Sequence, residues 1–292
     1  MSASPRHGRV IGSSSGRKVI THGLRRRLLL DLYHQFMTVG WPTIFASFFG
    51  FFLVFNLLFA VVYSFQDDDI ANLNPAGYWG RFFFSVETLA TVGYGDMHPQ
   101  TPFAHIVAAL EIFVGLMSLA LITGMMFARF SKPTARFVFA HNAVVRPMNG
   151  KMTLMLRAAN ARQNIVMEAS AQLRLLRDEV TPEGIRIRRI QDLTLVRNRH
   201  PVFLFGWTIL HVIDDASPLA GETAESLRAA RGWLLLTVIG NDETTGQSLM
   251  ARQEYPASAL RWNYGYVDIL STDAEGIDHF DYARFHDIEP LS

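Results

Sequence analysis

The sequence predicts a membrane protein in two parts: two transmembrane helices that flank a short re-entrant segment, followed by a soluble all-β domain. Three observations carry this prediction. Two apolar stretches in the first half of the chain each exceed the roughly 20 residues that cross a bilayer. The connector between them is acidic and holds a third apolar segment that is too short to cross. The second half of the chain alternates short apolar strands with turn residues.

Composition excludes several classes of function. The chain has 292 residues, enough for two domains, and its net charge of +1 gives no reason to expect nucleic-acid binding. Without cysteine it has no disulfide, cysteine-based zinc site or thiol catalysis. Its ten histidines do not fall at metal-ligand spacing, and no Walker A or G-x-G-x-x-G motif occurs. We therefore expect neither an enzyme nor an organic cofactor.

The N-terminal part contains two unlike segments. Residues 1–27 are polar and basic without apolar periodicity, which predicts a flexible leader and not a secretory signal. In residues 28–40, Leu28, Leu32 and Phe36 fall at helical spacing, with charged and polar residues largely on the other faces. This pattern predicts an amphipathic helix along a membrane surface. A surface helix on a soluble domain is the alternative.

The two apolar stretches predict a transmembrane domain at 41–133, with spans at about 43–65 and 103–130. The first contains one strongly polar side chain, Asn56, and the apolar part of the second contains one charge, Glu111. Polar groups at such depth are costly when exposed to lipid, so both should face protein or a wet cavity. A pair of buried core helices is the alternative.

The basic residues predict an orientation, because the cytoplasmic flanks of spans carry an excess of Lys and Arg. They lie before the first span and after the second: Arg17, Lys18, Arg25, Arg26, Arg27, Arg129, Lys132 and Arg136. The connector carries four aspartates and a single basic residue, Arg81. Both termini should therefore be cytoplasmic and the connector external.

The connector also contains the segment that points to function. Tyr78–Leu89 is too short to cross and predicts a half-helix, after which the chain returns through "TVGYG" at 91–95. Non-helical backbone at membrane depth is tolerated where it lines protein or an aqueous path. Gly93 and Gly95 permit backbone conformations closed to other residues. Carbonyl oxygens and the negative end of the helix dipole both favour a cation.

Residues 134–292 predict one β domain. "KMTLMLRAAN" and "AQLRLLRDEV" alternate apolar and polar residues, while "VFLFGWTILHVI" and "GWLLLTVIG" are apolar runs suited to sheet cores. Turn signals such as "MNGK", "TPEG" and "GNDETTG" separate them. Short strands at this spacing predict a sandwich.

"TLATVGYGD", Thr88–Asp96, resembles the potassium-channel filter signature. The flanks narrow the resemblance: "WP" before the first span, "ARFSKPTARFVFAHNAVVRPMNGKMTLMLRAANAR" after the second, and "SPLAGET" further on resemble inward-rectifier potassium channels, in particular the bacterial members. The likeness covers the chain from about Leu28 to its end.

This resemblance implies a potassium-selective channel in the bacterial inner membrane. One chain supplies one filter strand, so the pore is expected to be a homotetramer. K⁺ would be the permeant ion, held by the carbonyls of Thr91, Val92, Gly93 and Tyr94 and by the Thr91 hydroxyl, with Gly95 completing the strand. The β domain would be immunoglobulin-like and extend the pore into the cytoplasm.

Two carboxyl residues flank the filter. Glu87 and Asp96 are nine residues apart, a spacing that resembles a carboxylate pair behind the filter of another bacterial potassium channel. Two neighbouring carboxyls in a partly desolvated place do not easily both ionise, so one is expected to hold a proton. Alternatively, each of the two carboxyl groups forms its own hydrogen bond with the backbone of the filter.

The second span is predicted to carry the gate. Leu119, Thr123 and Phe127 lie at i, i+4 and i+8, on one helix face, and the resemblance places that face toward the pore. Phe127 is the expected gate, and Gly115 and Gly124 are expected hinges. Strongly rectifying relatives carry an acid where this chain has Leu119, so block by Mg²⁺ or polyamines should be weak unless acidic residues of the cytoplasmic vestibule compensate. Packing of Phe127 against lipid or a neighbouring helix is the alternative.

The basic cluster predicts lipid binding. Arg25, Arg26, Arg27, Arg129 and Lys132 would meet at one membrane face and hold an anionic phospholipid headgroup. The fit to eukaryotic relatives is partial, because the linker after the second span is shorter and less basic. A purely topological role for these residues is the alternative.

Two other functions are compatible with parts of this pattern. A membrane-anchored ligand sensor would account for the order of domains but not for "TVGYG". A cation channel with relaxed selectivity would account for both, and differs from a potassium channel in its response to sodium.

Overall fold

A computed structural model of the chain describes residues 9–12, 18–21, 28–132, 135–162 and 164–291. The chain forms two compact units. One covers residues 25–132, and the other groups residues 1–24 with residues 133–292.

Two short strands, β1 (Arg9–Gly12) and β2 (Lys18–Thr21), lie in the segment predicted as a flexible leader. They pair antiparallel, with Val10 opposite Ile20 and Ile11 opposite Val19. The sequence did not predict these strands, and the flexibility of the leader stays a prediction. β1 has two β-branched residues and β2 has three, which favour the extended conformation but are too few to form a recognisable period.

The described part of the transmembrane unit contains four helices and one pair of two-residue strands. Its elements in chain order are α1 (Leu28–Thr38), α2 (Trp41–Tyr63), β3 (Ile70–Ala71), α3 (Tyr78–Leu89), β4 (His98–Pro99) and α4 (Pro102–Phe130). The strands β3 and β4 pair antiparallel.

Both long helices have a proline in the first turn. Gly40 precedes α2 in an extended conformation and Pro42 lies in its first turn, while Pro102 opens α4. The Thr101 hydroxyl accepts a hydrogen bond from the backbone N–H of Ala104, 3.2 Å away, and so caps α4. The helix α2 starts two residues before the predicted first span, because Trp41 and Pro42 belong to its first turn.

These two helices are long and apolar enough to cross a membrane, with mean hydropathies of 2.4 and 2.3. Only 17% of the most apolar window of α2 and 22% of that of α4 are buried in a single chain. A core helix of a soluble protein would be mostly buried. The exposure therefore argues against that alternative and fits helices that face lipid or neighbouring subunits.

The second unit is built mainly of strands. In chain order they are β5 (Phe137–Phe139), β6 (Ala143–Met148), β7 (Lys151–Asn160), β8 (Val166–Val180), β9 (Arg186–Leu193), β10 (Arg199–Phe203), β11 (Gly206–Val212), β12 (Trp233–Asp242), β13 (Ser248–Pro256), β14 (Leu260–Trp262), β15 (Tyr264–Tyr266), β16 (Leu270–Thr272), β17 (Asp278–Phe280) and β18 (Ile288–Pro290). A short helix, α5 (Ala224–Ala229), and a 3₁₀ turn (Ala257–Ala259) complete it.

Ten of these strands form two five-stranded sheets, while β15 pairs with β18 and β16 pairs with β17. The first has the order β10-β8-β12-β13 with β9 also paired to β8, and the second has the order β11-β7-β6-β14 with β5 also paired to β7. Leu154 and Leu156 of β7 and Leu173 and Leu236 of β8 and β12 are fully or almost fully buried in one apolar cluster. Because the two inner faces share this cluster, the unit is a β-sandwich, as predicted.

Candidate functional site

The filter strand begins where α3 ends. The carbonyl oxygen of Glu87 accepts hydrogen bonds from the N–H groups of Val92 and Gly93, at 2.8 and 3.2 Å. The N–H of Thr91 donates to the carbonyl of Thr88 at 3.0 Å. These bonds use carbonyls that the helix end would leave free, and they turn the chain back on itself at once. The start of the strand is thereby attached to the last turn of α3.

The backbone of the strand alternates in handedness. Thr91, Gly93 and Gly95 have φ of 55°, 54° and 86°, whereas Val92 and Tyr94 between them are not left-handed. Alternation of right- and left-handed residues makes successive N–H groups point to one side, so that the carbonyl groups point to the other. Thr91 adopts this conformation without being a glycine, which is the kind of strain that persists at functional sites. This alternation of φ is compatible with a strand whose carbonyl oxygens all face one side.

The outer end of the strand is tied to the segment that precedes α3. The side chain Nδ2 of Asn72 donates to the carbonyl of Asp96 at 3.0 Å, and the N–H of Gln100 donates to the carbonyl of Asp69 at 2.8 Å. The Asp69 carboxyl is buried and lies 3.8 Å from Nε of Arg81 on α3. Burial raises the pKa of Asp69, and Arg81 opposes that rise.

The predicted pair of Glu87 and Asp96 is not joined within one chain. Glu87 is partly buried and Asp96 is exposed. Over the described ranges, no hydrogen bond or ion pair links the two carboxyl groups. The shared proton stays a prediction, while the contribution of Glu87 that the structure shows is its backbone carbonyl.

A buried polar cluster joins α3 to α2 and α4. The Ser85 hydroxyl is 2.5 Å from Oε1 of Glu111 and 3.0 Å from Oδ1 of Asn56. The Tyr63 hydroxyl donates to Oε2 of Glu111 at 2.8 Å, and Nδ2 of Asn56 donates to the carbonyl of Phe52 at 2.6 Å. Asn56 and Glu111 are wholly buried, which confirms that they face protein. Sequence reasoning missed Ser85 and Tyr63 as their partners.

Gly115 on α4 packs against the end of α3. It lies one helical turn after Glu111, just as Leu89 lies one turn after Ser85, so the two helices meet at two successive levels. A Cβ on Gly115 would be 2.1 Å from the carbonyl oxygen of Leu89, whereas a Cβ on Gly124 would meet nothing within 4 Å. Close helix packing is therefore a requirement at Gly115, in addition to the predicted bending.

Comparisons with known proteins match both parts of the chain. The family model described as "Inward rectifier potassium channel C-terminal domain" matches residues 137–292, and the model described as "Ion channel" matches residues 50–132. The chain is 38% identical over 289 residues to the inward rectifier potassium channel Kirbac3.1 of Paramagnetospirillum magnetotacticum, across 99% of this chain and 98% of that protein. The chain belongs to the inward rectifier potassium channel family.

A more distant relative comes from an animal. The chain is 29% identical over 283 residues to the ATP-sensitive inward rectifier potassium channel 12 of Bos taurus, across 89% of this chain and 66% of that protein. The family consists of ion channels rather than enzymes, and K⁺ is the ion that passes. The predicted class of function is confirmed.

In this inward rectifier the three predicted pore-facing residues share one exposed face of α4. Leu119 is 61% exposed and Phe127 is 74% exposed in a single chain, and Thr123 is exposed between them. The Thr123 hydroxyl donates to the carbonyl of Leu119 at 2.8 Å, so it is bonded to its own helix. The face is free to meet other subunits or an aqueous path.

The basic residues predicted to bind lipid do not share one environment in the structure. The guanidinium of Arg129 donates to the carbonyls of Phe36 and Val39 at the end of α1 and lies 4.7 Å from the ring centre of Trp41. It therefore caps α1 and packs on the start of α2. Lys132 is exposed. Arg25, Arg26 and Arg27 lie outside the described residues.

Proposed function

We propose that four copies of this chain assemble around one axis and form a passive, K⁺-selective pore. The carbonyls of Thr91, Val92, Gly93 and Tyr94, with the Thr91 hydroxyl, would replace the hydration shell of the ion. The observation that carries this proposal is the alternating handedness of residues 91–95. A single row of carbonyls surrounds an ion on one side only, so four strands are needed to enclose it.

The exposure of apolar side chains in one chain supports the assembly. Val92 and Tyr94 of the filter strand are 53% and 79% exposed, and Phe127 at the far end of α4 is also exposed. Large apolar side chains that are exposed in a single chain are typical of surfaces buried between subunits. In a tetramer, four copies of Phe127 would face one another and close the pore by excluding water.

The topology follows from the charges beside the spans. The pore would sit in a bacterial inner membrane with both termini cytoplasmic, and the β-sandwich would bias the gate from the cytoplasmic side. Anionic phospholipids would act at the same face through Lys132 and the basic residues before α1. Mg²⁺ and polyamines would enter from the cytoplasm as weak blockers, because Leu119 carries no charge.

Rubidium uptake into liposomes tests this function. The purified channel is expected to take up Rb⁺ with competition by K⁺ and not by Na⁺, and to depend on the content of anionic phospholipid. Gly93→Ala should abolish uptake, because its φ of 54° disfavours any side chain. Gly50→Ala is a matched control, since a Cβ there meets nothing within 4 Å.

The alternatives give different results. Equal competition by K⁺ and Na⁺ would indicate a cation channel with relaxed selectivity. Uptake no greater than in empty liposomes, from protein that is tetrameric by chemical cross-linking, would favour a ligand sensor whose helices only anchor it.

A further inference from the structure

The buried polar cluster behind the filter has an unusual composition. It contains Asn56 and Tyr63 from α2, Ser85 from α3 and Glu111 from α4, and all four side chains are wholly buried. None of the ion pairs among the described residues involves Glu111. A carboxylate at this depth would have no cation to balance it, although charged groups inside a membrane are costly without one.

A count of hydrogen atoms shows which form of Glu111 fits. Three contacts join the cluster: Ser85 to Asn56 Oδ1, Ser85 to Glu111 Oε1, and Tyr63 to Glu111 Oε2. With an ionised Glu111, only two hydrogens are available, one on each hydroxyl. One of the two Ser85 contacts would then bring two acceptors together without a hydrogen between them, and such a contact is repulsive.

The orientation of the Asn56 amide excludes the other arrangement in which Glu111 could be ionised. If its amide were reversed, Nδ2 would face Ser85 and an ionised Glu111 would be satisfied. The reversal would place Oδ1 at 2.6 Å from the carbonyl oxygen of Phe52, again two acceptors in contact. The contact with Phe52 therefore requires Nδ2 on that side, and leaves Oδ1 for Ser85.

A proton on Oε1 satisfies every contact. Oε1–H of Glu111 donates to Ser85, the Ser85 hydroxyl donates to Oδ1 of Asn56, and Tyr63 donates to Oε2. A proton on Oε2 does not, because the two Ser85 contacts would still share one hydrogen. The neutral acid thus links three helices in one unbroken chain of hydrogen bonds, and buried polar groups that are all satisfied stabilise one arrangement.

We propose that Glu111 carries a proton on Oε1 and is a positioning residue, whose neutral carboxyl holds α3 and the filter strand against both spans. Ser85 lies six residues before Thr91, in the helix whose last turn holds the filter strand. Loss of the chain of hydrogen bonds should therefore alter conduction and selectivity. That consequence rests on the proposed function, but the protonation of Glu111 does not.

Infrared spectroscopy tests the protonation directly. A protonated carboxyl has a C=O stretching band that ionised carboxylates lack. The purified channel in vesicles at neutral pH should show this band, and Glu111→Gln should remove the part of it that one carboxyl contributes; a proton shared by Glu87 and Asp96 would account for any band that is left. Glu289→Gln, at an exposed carboxyl of the β domain, is the matched control and should leave the band in place. An unchanged spectrum in Glu111→Gln would overturn the proposal.

Conservative and disruptive variants test the positioning. A glutamine amide can donate to Ser85 and accept from Tyr63, so Glu111→Gln should keep flux and K⁺/Na⁺ preference within about twofold of the parent protein. Glu111→Ala should lose about tenfold or more, as expected when buried polar partners are left unsatisfied. If Glu111→Gln fails as badly as Glu111→Ala in folded, tetrameric protein, the site needs a charge and the proposal is wrong.

Ser85→Ala provides an independent measurement. It removes the acceptor of the Glu111 proton, so the infrared band should remain but move to the frequency of a non-bonded acid. A band that neither moves nor weakens would exclude Ser85 as the acceptor. Because the spectra need no ion flux, a channel in which even the parent protein fails to conduct would contradict the proposed function and leave this test intact.

Discussion

Gly115 of α4 lies directly against the carbonyl group of Leu89, the last residue of α3. A Cβ built on Gly115 would be 2.1 Å from that oxygen, well inside the 3.0 Å that real Cβ atoms respect. Leu89 is two residues from Thr91, where the filter strand begins. The contact therefore joins the helix that carries the proposed gate to the support of the filter.

Gly115→Ala should destabilise the channel and impair conduction. The added methyl group must push α3 and α4 apart, and overpacking of this kind costs about 1–3 kcal/mol. Thermal unfolding of the detergent-solubilised protein and Rb⁺ uptake measure the two effects. Gly50→Ala, on α2 with nothing within 4 Å of its Cβ, is the control. Equal behaviour of the two variants would show that the helices do not need close approach at Gly115.

Glu87→Gln should retain more flux than Glu87→Ala. If Glu87 and Asp96 share a proton in the assembled channel, an amide preserves a hydrogen bond that alanine removes, and a buried bond of this type contributes about 1 kcal/mol. Rb⁺ uptake at several K⁺ concentrations provides the comparison. Similar uptake by both variants would mean that Glu87 acts through its backbone carbonyl alone, which accepts from Val92 and Gly93.

Phe127→Ala should produce a wider and leakier pore. Four phenyl groups near the end of α4 would otherwise exclude water from the constriction. The measurements are Rb⁺ uptake under conditions that close the parent channel and the access of blockers from the cytoplasmic side. Phe49→Ala, at a phenyl group of α2 that is also exposed in one chain, is the control. Unchanged uptake and access would assign Phe127 to packing against lipid or a neighbouring helix.

Leu119→Asp should strengthen block by internal polyamines. A carboxylate in a narrow pore of low dielectric attracts polycations, and we expect the blocking concentration to fall by about tenfold or more. Voltage-dependent block recorded in planar bilayers tests this. Leu119→Asn, which has a similar shape without the charge, should behave like the parent channel. If the aspartate leaves the voltage dependence unaltered, residue 119 does not face the pore.

Neutralising Arg129 and Lys132 together should shift the dependence of flux on anionic lipid. Each basic side chain at an anionic leaflet contributes about 1 kcal/mol, so the midpoint of the titration should move several-fold. The structure separates the two residues, since the Arg129 guanidinium is committed to the carbonyls of α1 and Lys132 is exposed. Lys132→Gln alone should therefore shift the titration while it leaves tetramer stability unchanged.

The variant Arg129→Lys tests the other residue of the pair, as Lys132→Gln tests Lys132. It keeps the charge but loses the planar fork that reaches two carbonyls at once, so it should weaken the attachment of α1 and leave the lipid titration in place. If the double variant titrates like the parent channel, the basic residues act only in topology.

Much of the architecture followed from local sequence. The length and hydropathy of the spans, the half-helix at Tyr78–Leu89 and the alternating strands of the sandwich are properties of neighbouring residues, because helix and strand periods are short. The filter strand at 91–95 could also be predicted from the sequence, since Gly93 and Gly95 stand where the backbone has positive φ. Within the leader, the sequence did not predict β1 and β2, because these strands are too short to show a period.

The contacts that support the filter came only with the tertiary structure. The sequence predicted that Asn56 and Glu111 would face protein, but it did not predict which groups they would meet. Their partners lie far along the chain: Ser85 is 29 residues from Asn56 and 26 from Glu111, and Tyr63 is 48 from Glu111. The same holds for Gly115 against Leu89 and for Arg129 against the end of α1. No local period encodes how closely two helices approach or at what angle they cross, because side-chain packing along the whole interface decides both.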